Sequence, residues 1–400
     1  VTAPLKVFVV VGEESGDQLG AGLVAGLRRR LGEGGVVFSG LAGHRMIGLG
    51  LSSLFPLADI SVMGISAVLA RLPTIVRRVH QTVDAALAAE PDVVVIIDSP
   101  DFTHAVARRI RKKRPQIPVV DYVSPSVWAW RPGRARKMTA YVDHLLAILP
   151  FEPEVHRRLG GPPCTYVGHP LAERLDLART EALGETPADE RPVLVVLPGS
   201  RRSEVSRLMA PFAETLSELA ARGHEFRAVL PAVGHLEHEI RAAVATWPVQ
   251  PEIMVGEAAK FAAFRSARAA LAASGTVTLE LALSGVPMIV TYKLDWFYRR
   301  FRDLTRIFPR LAYVHSMVLT NIILGENIVP EFLEDGVTGP NLADHVAPLL
   351  DLSDPARRRQ VEAFGRLRAA MALPEGRHPS DLAAEVVIDV ARRGRPHAGA

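Results

Sequence analysis

Four hundred residues, 48% hydrophobic and 22% charged, make a soluble-type chain long enough to bury two globular cores. The single cysteine, Cys164, excludes internal disulfides and a cysteine-built zinc site, and points to a reducing cytoplasm. A formal charge of +4 is too slight to argue for nucleic acid, no apolar run reaches a membrane span, and the N-terminus VTAPLKVFVVVG lacks the apolar stretch of a signal peptide.

The first strand is expected at 6–12 (KVFVVVG), and a helix follows at 17–31. Between them lies VGEESGDQLGAGL. Its glycines miss the GxGxxG spacing of a dinucleotide site, so Ser15 and Asp17 read either as ligands for sugar hydroxyls or as caps of that helix. A second strand is expected at 36–40 (VVFSG). The apolar stretch 61–80, with Arg71, Arg77 and Arg78, and a helix around 66–89 come next. Such a stretch either lies in a lipid headgroup layer or forms a core helix with snorkelling arginines.

The strand at 92–98 (DVVVIID) is apolar throughout and ends in Asp98. A carboxylate at the rigid carboxyl end of a central strand is a candidate general base, while Asp101 suits capping of the helix expected at 103–114. After the strand at 118–123 (PVVDYV), the segment YVSPSVWAWRPGRARKM (122–138) joins tryptophans to basic residues. Trp128 and Arg131 are its candidate ligands for a sugar phosphate, against the alternative of a packed aromatic corner. A strand at 145–149 (LLAIL) precedes His169 in YVGHP, a second candidate base or sugar ligand.

Polar residues 173–192 interrupt the series and read as a linker. Strands then resume at 193–198, 225–231, 252–256, 269–274 and 287–292. LPGSRRSEV (197–205) places Gly199, Ser200 and Arg201 in a turn before a helix, with Ser203 as its expected cap; the turn's N–H groups and Arg201 form an anion site. AASGTVTLELALSGVP (272–287) repeats that geometry. A phosphate at Gly275 and Thr276 with a ribose diol on Glu280 makes a nucleotide diphosphate the coherent ligand. DWFYRRFRDLTRIFPR (295–310) again mixes aromatics with arginines, and the tail from 392 on is expected to be disordered.

Uninterrupted apolar strands alternating with helices predict an α/β chain of two Rossmann-like, doubly wound domains facing a cleft. The expected division is 1–180 for a first Rossmann-like domain and 181–371 for a second, which carries both anion turns. Helices at about 372–392 are left to pack on the first domain or on the partner chain of a homodimer, and 393–400 forms the tail.

The order of GEESGDQLGAGL, FSGLAGHRM, VMGI, IIDSPDF, YVSPSVWAWR, LPFE, VGHPL, LPGSRRSEV and ASGTVTLE resembles the lipid-A-disaccharide synthase family over about residues 6–390. Glu14 departs from the small residue or proline common there, and the SGD element beside it is intact. The resemblance implies the GT-B fold, with an acceptor-binding first domain and a UDP-sugar-binding second one, and an inverting glycosyltransferase of bacterial lipid A synthesis. It implies that UDP-2,3-diacylglucosamine and 2,3-diacylglucosamine 1-phosphate give a β-1,6 disaccharide 1-phosphate and UDP. It further implies a peripheral protein on the cytoplasmic face of the inner membrane. Asp98 is then the base, and Gly199, Ser200, Arg201, Gly275, Thr276, Glu280 and, by resemblance, Asn321 contact UDP. No cofactor is expected, and the chain has no DxD triplet for a metal. Two alternatives stay open. One is another GT-B enzyme, a UDP-sugar epimerase or a transferase with a soluble acceptor. The other is a non-catalytic nucleotide-sugar or lipid binding protein.

Overall fold

The computed structural model describes residues 3–61, 65–171, 191–293 and 316–395. They form two compact units, Val1–Glu173 with Leu373–Ala400, and Arg174–Ala372. All but the last two residues of the expected linker, the stretch 295–310 and residues 396–400 lie outside the described residues.

The first unit carries a six-stranded sheet ordered β2-β1-β3-β4-β5-β6, built from β1 (Leu5–Val11), β2 (Val36–Leu41), β3 (Val93–Ile97), β4 (Val119–Tyr122), β5 (His144–Ala147) and β6 (Cys164–Tyr166). Every pair is parallel. Side chains alternate across a strand, and both faces of β1 are buried. Val7, Val9 and Val11 join a core with helices Glu14–Leu31 and Pro379–Arg393, while Phe8 and Val10 join one with helices Ile65–Ala89 and Pro100–Lys113. This two-sided burial is why the strands read as unbroken β-branched runs.

The second unit repeats the plan with order β12-β11-β10-β7-β8-β9: β7 (Val193–Leu197), β8 (Arg227–Ala232), β9 (Glu252–Val255), β10 (Ala267–Ala273), β11 (Met288–Tyr292) and β12 (Glu331–Leu333). Leu194 and Val196 pack with helices Arg202–Ala221 and Gly339–Leu350 in its main core.

Several boundaries differ from expectation. The helix after β3 starts at Pro100, which lacks the N–H that a first helical turn leaves unpaired. Asp101 therefore sits inside that turn, its side chain 99% exposed, and caps nothing. Ser203 lies within its helix. The carboxylate of Glu204 accepts the N–H groups at the helix start instead. The expected disordered tail begins too early, because the last helix runs through Arg393.

Candidate functional site

In both sheets the strand order reverses direction once, and open α/β sheets bind ligands beyond the carboxyl ends at that point. In the first unit the reversal lies between β1 and β3, paired Val11 to Ile97. In the second it lies between β7 and β10, paired Leu197 to Ala272. The turns singled out from sequence leave these strand ends.

In the first unit, the turns after β1 and β3 touch. A Cβ on Gly12 would stand 2.1 Å from that of Ser99, so only glycine permits the approach. Asp98 is half-buried there. Its Oδ2 accepts from the Ser15 hydroxyl at 2.6 Å and its Oδ1 from the Ser99 N–H at 2.7 Å, which fixes the carboxylate in two directions. Asp98 lines a 230 Å³ cavity with Val123, Ser124, Trp130, Arg131 and Arg134 among others. Asp98, Val123 and Arg131 all hold positive φ (57°, 85° and 53°). Such angles are costly for side chains with a Cβ, most of all for a β-branched valine, and they concentrate where a fold imposes geometry for a ligand.

The other sequence candidates of this unit fall elsewhere. Asp17 is fully buried, and its carboxylate accepts the N–H groups of Gly43, Arg45 and Met46, capping the short helix His44–Gly48. That corrects its reading as a sugar ligand. His169 is buried too; burial lowers its pKa to about 4, and Nδ1 accepts the Leu171 N–H at 3.2 Å. The other ring nitrogen of the neutral imidazole then bears hydrogen, which makes His169 a donor rather than a base. Trp128 stands edge-on to Phe151 at 5.4 Å and donates to Glu152 at 3.3 Å, outside the cavity lining; its neighbour Trp130, 46% exposed, lines the cavity with Arg131 stacked 4.3 Å from its ring.

Sequence reasoning missed the polar groups behind this cavity. Asp121 on β4 and His104 are buried with Oδ2 and Nε2 3.0 Å apart, and His104 Nδ1 meets the Tyr141 hydroxyl at 3.0 Å. Burial raises the Asp121 pKa, with the charge of Asp98 adding to the rise. Glu152, which accepts from Trp128 and the Leu149 N–H, is pushed up to about 7 by burial. An aspartate inside an otherwise apolar parallel strand, as in VVDY, was the available signal.

In the second unit, Gly199 takes φ 113° and the turn's N–H groups at Ser200 and Arg201 point to the Glu204 carboxylate, at 3.1 and 3.2 Å. The exposed Arg201 side chain pairs with Glu204 at 3.2 Å. The chain's own anion thus sits in the expected anion turn. At the second turn Gly275 and Thr276 are exposed, and Thr276 and Val277 open the helix Thr276–Leu283, where N–H groups have no acceptor within the helix. Glu280 is buried one turn on, its Oε2 held by Lys260 Nζ at 2.6 Å. The Asn321 side chain is engaged within the fold: its amide donates to Val329 O and Glu331 and accepts from the N–H groups of Ile328 and Val329, which ties the 325–331 loop.

Comparison with known proteins places these features in a family. The profile described as lipid-A-disaccharide synthetase matches residues 7–375. The lipid-A-disaccharide synthase of Nitrobacter hamburgensis is 53% identical over 396 residues, covering 98% of this chain and 96% of its own, and that of Rhodospirillum centenum is 44% identical over 391 residues, covering 97% and 95%. Among solved structures, a UDP-glucosyltransferase from Polygonum tinctorium aligns with TM-score 0.62 at 14% identity, covering 98% of this chain and all of its own. A UDP-GlcNAc 2-epimerase from Neisseria meningitidis aligns with TM-score 0.59 at 13% identity, covering 97% and 100%. At such identities these neighbours show the fold alone, which is GT-B.

Proposed function

The chain belongs to the lipid-A-disaccharide synthase family and is a glycosyltransferase, and from that premise we propose that it joins UDP-2,3-diacylglucosamine to 2,3-diacylglucosamine 1-phosphate with inversion. The observation that carries the reading is Asp98, oriented by Ser15 and Ser99 at the switch point of the first sheet and opening on a cavity walled by Trp130 and Arg131. Asp98 takes the proton of the acceptor 6-hydroxyl. That oxygen attacks the anomeric carbon from the face opposite UDP, the glycosidic bond to the diphosphate breaks, and the β-1,6 disaccharide 1-phosphate and UDP result.

The second unit holds UDP. The free N–H groups at Gly275–Thr276 take the diphosphate, and the helix start stabilises the charge that develops on it. Glu280, steadied by Lys260, accepts the ribose hydroxyls. Arg201 reaches the diphosphate once it leaves Glu204. The acyl chains favour a peripheral contact with the cytoplasmic face of the inner membrane. Leu72 and Val76, exposed one turn apart on the Ile65–Ala89 helix beside Arg71 and Arg77, support such a contact. No helix of the described residues is long and apolar enough to cross a membrane.

The test is UDP release from the two acylated substrates in neutral detergent with EDTA, with donor binding measured alongside. Wild type should turn over, and Asp98→Ala should lose about 10²-fold or more while still binding donor. Full activity in Asp98→Ala would remove the base assignment. Donor binding without turnover in wild type would favour the binding-protein alternative, and turnover with only soluble acceptors another GT-B activity.

A further inference from the structure

A second cavity adjoins the first and is not used by the steps above. It is a groove of 680 Å³ between the helices Pro100–Lys113 and Gly133–Met138, and it shares Asp101, Arg131 and Arg134 with the Asp98 cavity. Six cations line it: Arg108, Arg111, Lys112, Arg131, Arg134 and Lys137. Asp101 is its one carboxylate. Six against one leaves the groove at +5, while the whole chain is +4, so the rest of the molecule is close to neutral.

These cations differ in what they do. Arg111 is structural: it pairs with Asp143 and donates to the carbonyls of Pro115 and Ile117. Arg108 is aimed, its Nε tied to the His104 carbonyl at 3.1 Å and its guanidinium 5.5 Å from the Tyr141 ring. Arg134 meets Asp101 only at 3.5 Å. Among the described residues neither Lys112 nor Lys137 has an ion-pair partner. Like charges crowded into one concavity repel one another, and a fold gains nothing from them without an anion. A phosphomonoester supplies nearly two charges and three acceptor oxygens, which matches a fork of arginine and two mobile ammonium groups.

The geometry points to this groove as the subsite for the phosphate of the acceptor sugar, with the sugar in the shared cavity and its hydroxyl toward Asp98. This rests on the transferase reading, which supplies a phosphorylated acceptor; the groove supplies where that phosphate goes. Arg108, Lys112 and Lys137 are binding residues on this account and take no part in the chemistry.

The test is equilibrium binding to the full chain in neutral-detergent micelles without UDP. It compares 2,3-diacylglucosamine 1-phosphate with the same lipid lacking the phosphate. Wild type should prefer the phosphorylated lipid by about 100-fold, and Arg108→Ala, Lys112→Ala and Lys137→Ala should each remove about tenfold of that preference while binding the phosphate-free lipid as before. Thermal melts of Lys112→Ala and Lys137→Ala should not fall, since neither change removes an ion pair and each relieves repulsion. No preference in wild type, or a preference intact in all three variants, overturns the subsite. Variants that keep the preference in micelles but lose binding to vesicles of anionic phospholipid also overturn it, because the groove then serves a lipid surface. Turnover measured in parallel separates the two readings: a phosphate preference of the expected pattern without any UDP release faults the transferase chemistry and leaves the groove standing.

Discussion

His156 and His169 are imidazoles that the fold keeps neutral, each lowered to about 4 by burial. Among the described residues the His156 ring has one polar partner, Ser124, whose hydroxyl lies 2.8 Å from Nε2. An unfolded chain protonates both near pH 6.5, so between 6.5 and about 4 it binds more protons than the folded one. Each imidazole therefore contributes stability that is complete above pH 6.5 and is lost as pH falls, about 3 kcal/mol apiece across that window. Glu152 works in the opposite sense. Raised to about 7, it is protonated in the folded state where the unfolded carboxyl is ionised, so it favours the fold below about 4.5 and that support is lost as pH rises to 7. Asp121 is shifted in the direction of Glu152 and is common to all variants compared. Urea titrations at pH 7 and pH 4.5 should then show Glu152→Gln losing about 3 kcal/mol more than wild type on acidification, and His156→Gln losing about 2–3 kcal/mol less. Equal losses in all three proteins would mean these groups titrate normally.

At the scale of elements, the strand ends carry the chemistry, and Gly12 is where two of them are pressed together. A methyl group there collides with Ser99, whose N–H holds Asp98. Gly12→Ala should push the β3 turn aside and misplace the carboxylate, with turnover falling about 10²-fold and donor binding unchanged, since a shift near 1 Å at a reacting group has that scale. Wild-type turnover in this variant would mean the turn yields without moving Asp98. The strands themselves were legible in sequence to within two residues, because burial on both faces leaves runs such as VVVII with no polar interruption. The three-residue strands Cys164–Tyr166 and Glu331–Leu333 were not, since neither is a buried apolar run. The position of Asp98 was legible because one polar residue ends an apolar strand. Asp17 was misread because a polar side chain beside a glycine looks the same whether its partners are a ligand or backbone groups, and those groups lie 26–29 residues away. The His104–Asp121–Tyr141 contact spans 37 residues, from a helix through a strand to a turn, and only the folded sheet brings it together.

At the scale of the molecule, the chain ends in the unit where it began. Helix Pro379–Arg393 packs on helix Glu14–Leu31 so closely that a Cβ on Gly26 would stand 2.4 Å from the Ser380 carbonyl. Arg29 fastens the pair through Asp381 at 2.6 Å and Ser380 at 2.9 Å. Val387, Ile388 and Val390 enter the same core as Val7, Val9 and Val11 of the central strand. Burying such side chains is worth about 1.5–3 kcal/mol each, as an upper estimate, so these three together rival the ~5–15 kcal/mol net stability of a typical domain. The second unit has its own core around Leu194, Val196 and Phe212, with no residue from this helix. A chain ending at residue 372 should therefore lose one unit and keep the other. Hydrogen exchange should show the amides of β1 and β3 unprotected in the truncated protein and those of β7 and β10 protected as in the full chain. Gly26→Val in the full chain should give a milder form, weakening the first unit by roughly 1–3 kcal/mol through overpacking. If β1 and β3 stayed protected after truncation, the last helix would be an accessory to a core that closes without it.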